Sequence, residues 1–387
     1  VWQDIERGSA RALRWSLRAG PAGGAEAGEP GHRLHALRDR WRRALGEGEA
    51  ARAPEVAREI QTLEREILEA QRALRLSAVP RSSAQPTDLA GALDVIEAQA
   101  ARLQPHQAVL QWHRSGERLV ACVVDARGVR HRAWSVPDLD DRLRGLRFQL
   151  DVFRHGSQRL AAHAALLKAR VQHQAQALHD ALWAPLAPWL DDTIEELVVV
   201  PHRELHYVTF AALHDGQGWL VRRQALRYAA SAESALAALQ ATPSAAGMGH
   251  APLLLAAGGD GLPPAALELD RVAQAWRSGG LATALCRDPA TTDDWKALSP
   301  GASLLHVACH AQFRADNPVF SHLQLHDAPL TLAEIAQGRL RADLVVLSAC
   351  DSGVSRIRPG NELLGLVRAF GLAGARSVIA SHWPVDD

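Results

Sequence analysis

Two short apolar runs carry the side chains of this chain best suited to covalent chemistry. The first is Leu304-Leu305-His306-Val307-Ala308-Cys309-His310. The second is Leu344-Val345-Val346-Leu347-Ser348-Ala349-Cys350, followed by Asp351-Ser352-Gly353. A cysteine and a histidine brought together are the parts of a thiol hydrolase. The thiolate is the attacking species, and an imidazole beside it raises the thiolate fraction and later protonates the leaving amine. Each residue also has a plainer reading. A cysteine that closes a Val-Leu run is commonly an inert buried thiol, and His310 could be a capping histidine. Their joint occurrence at matching ends of two similar runs favours catalysis.

The runs must be positioned by something. Each has the length and branched-aliphatic content of a strand buried on both faces. A helical segment over Leu332–Gln337 lies between them, so the pattern predicts two parallel strands joined by a right-handed crossover. His310 and Cys350 then emerge side by side at the carboxyl edge of the sheet, where open parallel sheets place their reactive groups. Strand alternation turns Cys309 away from His310 and into the core. It also divides His306, Cys309 and His310 between faces, which counts against reading them with Cys350 and His382 as a zinc site. Around this pair the alternation extends. Pro252–Gly258 and Ala282–Cys286 read as strands. Ala265–Trp276, Thr291–Leu298 and Glu362–Ala373 read as helices, and Arg376–Trp383 as a last strand. That order predicts an α/β fold with a doubly wound, mainly parallel sheet flanked by helices. Gly258-Gly259-Asp260-Gly261 lacks both GxGxxG and the lysine of a P-loop, so no nucleotide site is expected there.

The first part of the chain is different. Leu34, Leu37, Trp41 and Leu45 recur at helical spacing, as do Val56, Ile60, Leu63, Ile67 and Leu74, with arginines and acids interleaved between them. Residues 1–78 are therefore expected to be an α-helical region with a solvated charged face. A Pro/Ser linker over 79–88 follows. Leu89–Leu103 reads as a helix, and Ala108–Trp112, Leu119–Asp125 and Gly128–Trp134 as strands. Asp151–Leu182 is the longest helical stretch, and Glu196–Val200 is a buried strand followed by His202 and His206.

The motifs around the two runs resemble a known family, the CHAT domain, a bacterial relative of caspases and separase. The residues that carry the resemblance are His306-Val-Ala-Cys-His310, Leu347-Ser-Ala-Cys350-Asp-Ser-Gly353, Gly360-Asn-Glu, Gly365-Leu-Val-Arg-Ala-Phe370, Ala373-Gly-Ala-Arg-Ser-Val378 and Trp383-Pro-Val-Asp-Asp387. More weakly, the resemblance reaches upstream to about Leu89. It implies a caspase-like core with 89–245 as an N-terminal pseudo-caspase-like half and 246–387 as the catalytic half. It also implies a Cys350–His310 dyad and an oxyanion hole made by the backbone N–H groups of Ala311 and Cys350. Where the family more often has glycine, this chain has Ala311, which fits only with a negative φ. In separase-like relatives an acidic residue after the last strand lines the pocket for the side chain preceding the cleaved bond. By that resemblance Asp386 and Asp387 would select arginine or lysine. Residues 1–78 could be the tail of a helical repeat array such as a tetratricopeptide array, and a helical-repeat or activator protein is a possible partner. The expected activity is cleavage of a specific protein substrate through a thioester, without cofactor or metal, plausibly in bacterial defence or cell death. A catalytically silent scaffold that binds partner proteins is the alternative.

Composition bounds the rest. The 387 residues are too many for one compact core. The formal net charge of +0 supplies no global field toward nucleic acid or membrane, and direct contact with either is not expected. Four cysteines without CxxC spacing suit a reducing cytoplasm. The sequence starts at Val1 and stops at Asp387, so a longer product is expected.

Overall fold

The computed structural model describes residues 29–46, 54–78, 98, 100–152, 160–229, 231–240, 253–256, 263–278, 285–312, 320–348 and 362–382. In chain order its main elements are α1 (Glu29–Gly46), α2 (Pro54–Ala78), β1 (Gln107–Ser115), β2 (Arg118–Asp125), β3 (Gly128–Ser135), α3 (Leu139–Asp151) and α4 (Ala164–Leu178). Then come β4 (Glu196–Val200), β5 (Ala225–Tyr228), α5 (Ala232–Gln240), β6 (Leu253–Ala256), α6 (Pro263–Ser278), β7 (Leu285–Arg287), α7 (Thr292–Leu298) and β8 (Leu304–Ala308). The last are β9 (His310–Gln312), β10 (His322–Gln324), β11 (Pro329–Thr331), α8 (Leu332–Gln337), β12 (Leu344–Ser348), α9 (Glu362–Ala373) and β13 (Val378–Ala380). The architecture is mixed α/β, as the strand and helix patterns imply.

Two five-stranded sheets organise it. The first, in the order β3-β2-β1-β4-β5, is mixed: β1 runs antiparallel to β2 and parallel to β4. Its central strands are apolar on both faces. Ala108, Leu110 and Trp112 join one core, under α3, α4 and the turns around Phe210, while Val109, Val198 and Val200 join another beneath α5. Trp112 stacks on Phe210, with ring centroids 5.9 Å apart. The edge strand β3 is largely exposed and carries Arg130, His131 and Arg132. Charged side chains on an edge discourage pairing with other chains.

The second sheet, in the order β13-β12-β8-β6-β7, is parallel throughout. On one face Leu305, Val307, Val345 and Leu347 pack with Trp295 of α7, Ile335 of α8 and Leu366 and Phe370 of α9. On the other, Leu304 and Ala308 meet Ala265, Leu269 and Ala273 of α6. Helices thus lie on both faces. Full burial of one such aliphatic side chain is worth about 1.5–3 kcal/mol, so this pairing is strongly favoured.

Two departures from the sequence reading stand out, and the first affects the site. The first run does not continue as one strand through His310. β8 ends at Ala308, and His310 opens β9, which pairs with β10 in a small antiparallel sheet of order β9-β10-β11. The reason is that Ala311 finds a new apolar partner: it lies opposite Leu323, and both are buried in the core shared with β8 and β12. The second departure is α5, which the Ala-rich stretch conceals in the sequence. Much of Leu89–Leu103, and the linker 79–88, lie outside the described residues.

α1 and α2 pack on each other through Leu34, Leu37, Trp41, Ile60, Leu63 and Ile67. The pair docks on the small sheet: the Trp41 ring is 5.2 Å from that of Phe320 and 6.1 Å from that of His322, and Arg42 pairs with Glu334 of α8.

α9 ends in a Schellman motif. The Ala375 N–H donates to Phe370 O at 3.0 Å and the Gly374 N–H to Gly371 O at 3.1 Å. Gly374 has φ +111°, and a Cβ there would stand 2.3 Å from the Leu340 carbonyl oxygen. Gly374→Ala is therefore expected to destabilise the chain by at least about 1–3 kcal/mol, the ordinary cost of such a backbone state. The check is a lower urea midpoint at unchanged slope; an unchanged midpoint would contradict this account of the turn.

Candidate active site

β8 and β12 are hydrogen-bonded neighbours, in register from Leu344 against Leu304 to Ser348 against Ala308. The Cys309 N–H adds one more bond, donating to Ser348 O at 3.2 Å. The chain then leaves the parallel sheet, and His310 follows at once as the first residue of β9, opposite Gln324 and half-buried. Both strands therefore lead toward the same edge. Cys350, Asp386 and Asp387 lie outside the described residues, as do Trp383 and Asp351-Ser352-Gly353.

Ala311 can be judged directly. Among the described residues Arg203 is the one non-glycine with a positive φ, so Ala311 has the negative φ that its Cβ requires. Cys309 is 1 % exposed and belongs to the core on the side away from α6. Burial pushes its thiol up to about 12, which suits an inert free thiol rather than a nucleophile.

On the α6 face, His306, Glu268 and Ser348 form a polar group that sequence reasoning missed. Glu268 Oε1 is 2.9 Å from His306 Nε2, and its Oε2 accepts from Ser348 Oγ at 2.8 Å. A carboxylate accepts only, so His306 Nε2 carries the proton. The helical stripe of α6 and the motif serine were each visible, but nothing in the spacing joins them. Among the described residues no group of three or more His, Cys, Asp or Glu side chains could hold a metal ion.

A second histidine group sits where the two sheets meet. His382, just past β13, reaches the first sheet's side. Its Nε2 donates to His206 O at 3.0 Å, which leaves Nδ1 to accept from Thr209 Oγ1 at 2.8 Å. Its ring lies 5.3 Å from Tyr228. His202 Nδ1 accepts from the Arg114 N–H at 3.1 Å, and its ring stacks on His113 at 4.4 Å. These contacts give His202 a structural role. Burial is the main cause that lowers His202 to about 4, with repulsion from His113 and Arg203 adding to it. Burial likewise lowers His206 to about 4, helped by His202 and His382.

With this geometry in view, the comparison with known families is informative. The profile of the CHAT domain matches residues 172–387, more than half of the chain. The chain belongs to the CHAT domain family, which is related to the caspase-like cysteine peptidases. A comparison with curated proteins gives no match. The described part of the chain contains no helix long and apolar enough to cross a membrane.

The neutral histidines make a pH statement. In the unfolded chain His202 and His206 titrate near about 6.5; in the folded chain they stay neutral down to about 4. On acidification the unfolded state binds protons first, so the stability that these two histidines control is expected to fall from about pH 6.5 toward pH 4. Urea midpoints at several pH values check this. His202→Asn, whose amide oxygen can still accept from Arg114, should lose less, and a midpoint flat from pH 7 to 5 would contradict neutral burial.

Proposed function

We propose that this chain is a cysteine endopeptidase with a caspase-like, doubly wound catalytic core. Cys350 attacks the carbonyl carbon of a peptide bond, and the amine leaves with a proton from His310. The resulting thioester is hydrolysed by water. The backbone N–H groups of Ala311 and Cys350 would hold the developing oxyanion. One observation carries the reading: Ser348 and Ala308 are register partners on adjacent parallel strands, and Cys350 and His310 follow each of them by two residues. Membership of the CHAT family and the negative φ of Ala311 support it.

On this reading 89–245 is the pseudo-caspase-like half and 246–387 the catalytic half. Residues 79–88 link the core to a helical N-terminal region, 1–78, that presents or gates a protein substrate. Asp386 and Asp387 line the pocket for an arginine or lysine before the cleaved bond. The setting is a reducing bacterial cytoplasm, in a defence or cell-death pathway, and no cofactor is required.

Fluorogenic peptides with arginine before the reporter provide the test. The wild-type chain should release the reporter. Cys350→Ala and His310→Ala should each lower kcat/KM by at least about 10²-fold, and Asp386→Asn with Asp387→Asn should weaken the preference for arginine over alanine. Reporter release that is the same in wild type and Cys350→Ala would overturn the peptidase reading and leave a protein-binding scaffold.

A further inference from the structure

Glu268 lies on the face of α6 that packs against the second sheet, between Ala265 and Leu269 in the apolar stripe. Its neighbours in that stripe contact the sheet through carbon alone. Glu268 instead sends one carboxylate oxygen to each of two strands: Oε1 meets His306 of β8 at 2.9 Å and Oε2 meets Ser348 of β12 at 2.8 Å. His306 is 6 % exposed. Three polar side chains on a helix–sheet contact cost desolvation that an apolar trio would not incur. Hydrogen bonds to a charged acceptor offset that cost and also fix geometry.

The placement matters. The carboxylate spans the seam between β8 and β12, diagonally across the register, because His306 pairs with Val346 while Ser348 pairs with Ala308. Ser348 is the last described residue of β12 and precedes Cys350 by two; His306 precedes His310 by four. Backbone hydrogen bonds hold two strands at a fixed separation, yet the final pair at an edge is where such a ladder frays. A side-chain clamp from Ser348 of that last pair back to His306 restricts sliding and splaying of the two strands near their ends. Misplacement of a reacting group by 1 Å can cost on the order of 10²-fold in rate.

We propose that Glu268 is a positioning residue: it bridges β8 and β12, the strands that lead to His310 and Cys350 in sequence, and keeps the dyad at reacting distance. The inference rests on the peptidase reading above. It assigns Glu268 no contact with substrate. Its carboxylate acts through Ser348 and His306.

Three variants of the full chain test it: Glu268→Ala, Glu268→Gln and Ser348→Ala. Glutamine can rebuild the bridge, its oxygen accepting from His306 and its amide donating to Ser348, so Glu268→Gln should keep activity within about 3-fold of wild type. Glu268→Ala should lower kcat by about 10–100-fold while KM moves less than about 2-fold, because the pocket is untouched. Ser348→Ala, which removes one arm of the clamp and leaves the sequence of α6 unchanged, should lower kcat by about 10-fold and serves if Glu268→Ala fails to fold.

The rate of Cys350 carbamidomethylation by iodoacetamide at pH 7, followed by peptide mass spectrometry, is the second readout. It should slow in Glu268→Ala and recover in Glu268→Gln. An active wild type whose kcat and alkylation rate are matched by Glu268→Ala and Ser348→Ala would overturn the positioning role and leave the peptidase reading standing. A wild-type Cys350 that alkylates no faster than a cysteine peptide, with no peptide cleaved, would overturn both.

Discussion

The in-register parallel pairing of Leu304–Ala308 with Leu344–Ser348 is the constraint on which the rest depends. A parallel pair cannot be closed by a tight turn, so a crossover must lie between the two strands. Here that crossover contains the small antiparallel sheet and the helix Leu332–Gln337. The Schellman turn at Gly374 returns the chain from the next helix to the strand Val378–Ala380, which covers the open edge of the pair. A one-residue slip would exchange the two faces and carry His306 or Ser348 from Glu268 into the apolar core, which makes the register costly to shift. The position of any group at the carboxyl edge is inherited from that register.

The small antiparallel sheet links this edge to the helical pair at residues 29–78. His310 and Ala311 sit on its first strand, His322 on its second, and Trp41 packs against Phe320 and His322. The helical pair thus rests on the strand next to the one that begins with His310. At the other edge His382 ties the end of the parallel sheet to His206 and Thr209 of the first sheet. Its neutral tautomer is dictated by a carbonyl that can only accept. Buried neutral histidines give the joint directional hydrogen bonds without an unpaired charge.

Much of this was legible in the sequence, for a physical reason. The runs Leu344–Ser348 and Glu196–Val200 are continuous β-branched and leucine stretches, and a strand buried on both faces leaves that signature. The helix Leu332–Gln337 announces itself through Thr331 and Glu334, which form a capping box. The partner change at His310 was not legible. Its neighbours Ala311 and Gln312 keep the alternation of the preceding strand, so periodicity reads straight through the break. Strands of three residues such as His322–Gln324 are too short for periodicity to register. The Glu268–His306–Ser348 bridge was invisible for a different reason. It joins residues far apart in sequence through a register that only the folded sheet defines. Cys309 was legible as a core residue through strand alternation.

The most direct test of the central claim is a crystal structure of the chain in which the sulfur of Cys350 and the imidazole of His310 are both resolved. The account expects them at one edge of the parallel sheet, with Sγ within about 4 Å of a ring nitrogen and no strand between them. Sulfur and imidazole facing opposite sides of the sheet, or parted by an intervening strand, would contradict it.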